Sequence, residues 1–302
     1  MKCLLCENTK IQKMETINKK DLIFLYKKIF QVHISYLVSQ DIDFYKCPEC
    51  SLGFFYPTIT GDEKFYNSLQ KFDWYYMNEK YEYEFAKQFI GPEDKVLEVG
   101  CGSGAFTKYL TTKNYVGLEF SENARKLALK NGIAVENISI QEYAKNHSGE
   151  FDVVVSFQVL EHVSDPKGFL EAKITCCRKG GRIIVVTPSE NSFLKYAVNS
   201  ALNLPPHHIT RWSDETFYFF AKKYNLEIET INHEKVQELH KVWYLSTLFR
   251  TFLWSNKMID ISLANKIITT VINFISKKLA YKLKDEFLPF GHTVICVFSK
   301  RG

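Results

Sequence analysis

From Lys95 onward, short runs of β-branched and apolar residues alternate with stretches whose apolar positions recur every three to four residues. That alternation is the mark of βαβ units built around a parallel sheet. It predicts strands over residues 95–99, 114–119, 133–136, 151–157, 182–187 and 226–231, and a last one over 292–299. The stretch FDVVVSF at 151–157 is apolar on both faces, as a central parallel strand must be. Helices are expected over 104–111, 123–130 and 214–224, the last with Ser213 as its N-cap. After the sixth strand comes a long helical pattern. In KIITTVINFISKKLA, the residues Ile267, Ile268, Val271, Ile272, Ile275 and Leu279 share one helical face, with Lys266, Asn273, Lys277 and Lys278 off it.

The pattern divides the chain into five parts. Residues 1–60 form a head with two cysteine pairs and a Lys-rich helical stretch between them. Residues 61–93 are an aromatic lid and first helix, 94–235 an α/β core, 236–288 a helical insert and 289–302 the final core strand. Of the 302 residues 46% are hydrophobic and 24% charged, enough for a globular core. The net charge of +5, from 39 basic and 34 acidic residues, is interleaved and mild, so no nucleic-acid partner is expected. MKCLLCENTK has no apolar run long enough for a signal peptide. No window of about 18 uninterrupted apolar residues suggests a spanning helix. A cytoplasmic protein with reduced thiols is the expectation.

After the first predicted strand, Glu98, Gly100, Gly102 and Gly104 form E-x-G-x-G-x-G ahead of a helix. Glycines there allow a tight turn and close approach of a ligand. Gly100, Gly102 and Ala105 also satisfy the dinucleotide pattern G-x-G-x-x-[G/A], and Glu119 at the end of the next strand suits ribose hydroxyls in either case. Glu98 separates the two readings. A carboxylate beside this loop would repel a pyrophosphate, whereas it suits the ammonium and sulfonium charges of S-adenosylmethionine.

The segments VLEVGCGSGAF, VGLEFS, FDVVVSFQVLEHVSDP and GGRIIVVTPSE resemble, in order and spacing, the successive motifs of class I S-adenosylmethionine-dependent methyltransferases. The resemblance covers residues 94–235 and the final strand. It implies a Rossmann-like seven-stranded sheet whose last strand is reversed and inserted between strands five and six. It also implies that Gly100, Gly102 and Gly104 cradle the methionyl part, that Glu119 takes the ribose hydroxyls, and that Ser139, Ile140 and Gln141 flank the adenine. Gln158 would sit near the sulfonium. Tyr76 lies where related enzymes close a lid over the cofactor. Cys101, inside the loop, reads as a small packing residue.

Cys3-x-x-Cys6 and Cys47-x-x-Cys50 are two knuckles whose four thiolates would make a closed, structural tetrahedral zinc site. Such a head resembles one found on bacterial methyltransferases that modify sugars. Methylating a hydroxyl requires a base, and histidine suits that task near neutral pH. His207 and His208, in PPHHITRWS after the fifth strand, lie where this fold builds its substrate pocket; His162 follows the fourth strand. His208 is placed first, then His207, then His162. Arg211 and Trp212 offer an anion hook and a flat surface for the acceptor. The expected function is methyl transfer to a small-molecule or saccharide acceptor. The alternatives are a nicotinamide-dependent oxidoreductase or a non-catalytic zinc-headed binding module. The insert is a candidate lid, a dimer surface, or a peripheral membrane contact through 258–284.

Overall fold

The structure is a computed structural model, and it describes residues 1–69, 71, 72, 80–253, 257–284 and 288–301. In the head, β1 (Gln12–Ile17), α1 (Lys19–Phe30), β2 (Ile42–Lys46) and β3 (Gly53–Tyr56) follow in order. Asn18 caps α1, its side chain accepting from the Lys20 amide, and Leu22, Leu25 and Tyr26 turn inward at helical spacing. Then come α2 (Glu63–Leu69) and α3 (Tyr81–Ala86).

The core alternates as its pattern predicts. It runs β4 (Val96–Val99), β5 (Tyr115–Leu118), α4 (Glu122–Lys130), β6 (Val135–Glu136), α5 (Ile140–Tyr143), β7 (Phe151–Phe157), α6 (Pro166–Cys176) and β8 (Cys177–Pro188). After these come β9 (Thr210–Arg211), α7 (Asp214–Lys223), β10 (Leu226–Lys235), the insert helices α8 (Lys241–Leu253) and α9 (Leu263–Ala280), and β11 (Phe290–Lys300). The seven-stranded sheet has the order β10-β11-β8-β7-β4-β5-β6. Strand β11 is antiparallel to both neighbours and lies between the fifth and sixth core strands, while β4, β5, β6, β7 and β8 run parallel. This is the Rossmann-like methyltransferase sheet with its reversed last strand.

Several elements depart from the pattern, among them β10, which runs four residues past the expected 231. The helix expected over 104–111 is a 3-10 turn over Ala105–Tyr109, because the Thr107 hydroxyl donates back to the Gly104 carbonyl and Leu110 closes on Thr107. Strand β8 starts earlier than residue 182, since Cys177 already pairs with Phe151; a Cβ on Gly181 would come within 2.7 Å of the Asp152 carbonyl. Ser213 precedes α7 but makes no side-chain cap bond; its hydroxyl meets Thr216, and Asn191 takes the Asp214 amide instead.

The head is not a detached lobe. Its sheet has the order β1-β2-β3-β9, so its fourth strand comes from the segment between the fifth and sixth core strands. Tyr26 donates to the Ala201 and Leu204 carbonyls, and Glu15 accepts from the Met258 amide. In the insert, α9 turns Asn265, Ile272, Ser276 and Ala280 inward. Its apolar face, with Ile267, Val271, Phe274 and Ile275, is exposed.

Candidate active site

One cavity of about 1200 Å³ opens beyond the carboxyl ends of the core strands, the usual ligand position in an open α/β sheet. Gly100 and Gly102 form part of its wall, with positive φ angles of 74° and 55° that β-carbon-bearing residues seldom adopt. A Cβ on Gly100 would stand 2.5 Å from the Val159 side chain. Gly104, also left-handed, lies outside the wall and starts the 3-10 turn. Glu119 faces the cavity. The Gly102 amide donates to one of its carboxylate oxygens at 2.9 Å, and the Ser121 amide to the other at 2.7 Å. Two backbone donors therefore fix a carboxylate in position to accept from vicinal hydroxyls.

Glu98 sits behind this wall, buried, and takes the Tyr115 hydroxyl at 2.5 Å. Burial pushes its carboxyl up to about 8. Cys101 is buried as well, and desolvation raises its thiol further from ionisation. Ser139, Ile140 and Gln141 line the cavity at the start of α5, where the Ser139 hydroxyl caps the Glu142 amide. Gln158 lines it too. It holds a φ of 54°, unusual for a residue with a side chain, while its amide pairs with the Val186 carbonyl. Tyr75 and Tyr76 lie outside the described residues.

In the same cavity, three histidines from two loops come together. His162 ends the turn after β7; His207 and His208 lie in the segment leading to β9. The two loops are tied by the Ile209 amide, which donates to the Glu161 carbonyl at 2.8 Å, and the Ile209 carbonyl in turn accepts from Phe55 in the head sheet. The head thus clamps the histidine loop onto the core. The His162 and His207 rings are 4.6 Å apart, and the His207 and His208 rings stack at 4.6 Å. Burial pushes the His162 imidazole down to about 4 and the other two well below the usual histidine value.

The sequence reading assigned no role to Glu161. It is 1% exposed, one oxygen accepts from Thr187 at 3.0 Å, and burial lifts its carboxyl up to about 8. Its position beside His162 in LEH was the available signal. Glu234 and His292, opposed at 3.4 Å on β10 and β11, also face the cavity, and only the reversed strand brings them together. The insert contributes Gln237, Leu239, His240 and Trp243 to the wall, whereas no α9 residue lines it.

Arg211 and Trp212 do not line the cavity. Arg211 is buried over the Phe44 and Phe55 rings and donates to the Asn203 carbonyl. Trp212 is fully buried, stacked on Phe217, with its indole N–H on Thr210. Both side chains are spent on joining the head to the core, which corrects their expected role at the acceptor.

In the head, Cys3 and Cys50 sulfurs are 3.5 Å apart and those of Cys6 and Cys47 3.4 Å, and all four lie within 4.8 Å of one another. A tetrahedral zinc–thiolate site has sulfur–sulfur edges of roughly 3.8 Å, so the donor set fits that ion.

A glycine turn, an oriented carboxylate and a buried histidine cluster share one strand-end cavity of a Rossmann-like methyltransferase fold. A family model described as "Methyltransferase domain" matches residues 70–231, and the chain belongs to that family. Among curated relatives, a ubiquinone biosynthesis O-methyltransferase from Hydrogenovibrio crunogenus is 32% identical over 136 residues, 41% of this chain and 56% of that protein. One of the same name from Escherichia coli is 33% identical over 105 residues, 32% of this chain and 44% of that protein. The chain spans about half the length of the curated relatives it matches. A solved Thermotoga maritima structure, titled as a SAM-dependent methyltransferase and "possible histamine N-methyltransferase", shares the fold. Its TM-score is 0.50 at 20% identity, over 79% of this chain and 98% of that one. Residues 70–231 of the chain are thus a methyltransferase domain.

Proposed function

We propose that the protein methylates a hydroxyl oxygen of a small-molecule acceptor, a saccharide or an aromatic ring compound, held between the glycine loop and the histidine cluster. The observation that carries this is the shared cavity, whose wall holds Gly102, Glu119 and Gln158 together with His162, His207 and His208. The oxygen acceptor takes support from relatives named as O-methyltransferases. S-adenosylmethionine, when bound, supplies an electrophilic methyl group on a sulfonium. Gly100, Gly102 and Gly104 would shape the turn that holds its methionyl part, Glu119 its ribose, and Ser139, Ile140 and Gln141 its adenine. Gln158 would stand beside the sulfonium. In the cluster, a neutral imidazole accepts the acceptor's proton, His208 first and then His207 and His162.

Calorimetry with S-adenosylmethionine tests the donor; absence of binding by the purified chain would end the methyltransferase reading. His208→Ala is expected to cut turnover with an identified acceptor more than a hundredfold, with cofactor affinity changed less than threefold. Unchanged turnover would remove it from the acceptor site. The acceptor itself is identified by incubating the chain with methyl-labelled cofactor and a cell extract.

Two further assignments belong with this function. Cys3, Cys6, Cys47 and Cys50 hold a structural zinc that fixes the head, in the manner of a zinc ribbon. The exposed face of α9, flanked by Lys266, Lys277 and Lys278, rests on an anionic membrane surface.

A further inference from the structure

We propose that His162, His207, His208 and Glu161 form a binding site for a divalent transition-metal ion at the acceptor end of the cavity, separate from the four cysteines of the head. The proposal rests on the methyltransferase reading only for what the ion does there.

The three imidazoles are set up as ligands by their own hydrogen bonds. His162 Nδ1 meets the His207 carbonyl at 2.6 Å, His207 Nδ1 meets the Leu202 carbonyl at 2.9 Å, and His208 Nδ1 meets Asn203 Oδ1 at 3.3 Å. A carbonyl oxygen only accepts, so each Nδ1 carries the hydrogen and each Nε2 keeps its lone pair. Metal-bound histidines are held by this same arrangement, the second ring nitrogen donating to a carbonyl or carboxylate. One ring nitrogen of each histidine lies within 4.8 Å of those of the other two.

Glu161 supplies the independent observation. With one oxygen on Thr187, its Oε1 is buried and has no hydrogen-bond partner among the described residues. That oxygen stands 3.7 Å from His162 Nε2 and 3.9 Å from His208 Nε2. Lone pairs of an oxygen and of imidazole nitrogens facing one another in a dry pocket repel unless something positive lies between them. The separations are too long for a direct hydrogen bond and suit a small cation with ligands at about 2.0–2.2 Å after slight closure.

Three nitrogens and one carboxylate oxygen favour zinc, cobalt or manganese over magnesium, which prefers oxygen ligands. The four residues line the cavity, so the ion would keep a coordination position open to it. An acceptor hydroxyl placed there loses its proton to water more easily, because the cation stabilises the oxyanion left behind. With the ion bound, the imidazoles are ligands and proton uptake by His208 is no longer needed.

The test is a cobalt(II) titration of the full chain carrying its head metal, followed by visible absorption and metal analysis. The expected result is one cobalt taken up per chain, with d–d bands and no thiolate charge-transfer band. Uptake should weaken at least tenfold in Glu161→Gln and in His208→Gln. No uptake beyond the head metal, which is what a pocket filled by a shared proton gives, would overturn the proposal. So would uptake that neither variant alters. Binding of S-adenosylmethionine, measured by calorimetry on the same samples, separates the two readings: cofactor binding without cobalt uptake defeats only the ion site, and cobalt uptake without cofactor binding defeats only the methyltransferase role.

Discussion

Glu98 is buried behind the cavity wall and does not line it, although it was expected beside the ligand as a charged carboxylate. It is the third residue of β4, has 1% exposure, and its side chain accepts a hydrogen bond from the Tyr115 hydroxyl. Burial holds its carboxyl near 8, so between the ordinary carboxyl range and that value the folded chain retains a proton that the unfolded chain has released. The unfolded state then binds fewer protons, and stability falls as pH rises through this window. Glu98→Gln removes the titration. The variant's stability minus the parent's, measured by urea denaturation between pH 5.5 and about 7.5, is expected to rise with pH by up to about 1.4 kcal/mol per unit. Parallel slopes would show that Glu98 is ionised in the fold. The three histidines illustrate the reverse case. Their residue type and loop positions were legible, but their mutual contact depends on the Ile209 amide bridging two loops 45 or more residues apart in sequence.

At the scale of elements, periodicity read the parallel strands well, since β7 is buried almost throughout and its apolar run has only one place to go. It read the glycine turn less well, because a 3-10 segment and a helix share the same apolar spacing over so few residues. Helix α9 is the instructive element. The apolar stripe read from the sequence is split: Ile272 turns inward with Ser276 and Ala280, while Ile267, at 58% exposure, faces out beside Phe274, at 60%, which the stripe did not include. Small residues let the helix approach α8, and the bulky stripe is left over. That stripe has lysines and no acidic residue within α9. Sedimentation with vesicles is expected to pull the chain down when they contain anionic lipid, and at least threefold less when Ile267, Val271 and Phe274 are replaced by serine. Equal recovery of parent and variant would assign the face to something other than a membrane.

The whole molecule is organised by the strand that leaves the core. Thr210 and Arg211 join the head sheet through β3, Arg211 packs over Phe44 and Phe55, and Glu15 reaches Met258 in the insert. Head, histidine loop and insert are therefore joined around the histidine cluster of the cavity. A zinc held by the four cysteines would act at this scale. Metal analysis is expected to find about one zinc per chain at the head, and Cys47→Ser should lose it together with solubility. A metal-free Cys47→Ser chain that folds normally would refute the assignment.

By itself, the sequence determined the class of fold and the glycine turn and acid that line one cavity. Both depend on local pattern: strand periodicity, a glycine turn that only glycines can make, and an acid at the end of the next strand. The cysteine knuckles were legible for the same reason, since two thiolates three residues apart can bind one ion without help from elsewhere. Only the tertiary structure decided the surroundings of the histidine cluster. It withdrew Arg211 and Trp212 into the joint between head and core, added Glu161, and brought Glu234 to His292 across a reversed strand. Those placements rest on contacts between segments far apart in the chain, and burial, which sets the charge of each group there, is a property of the packed molecule and not of any local run of residues.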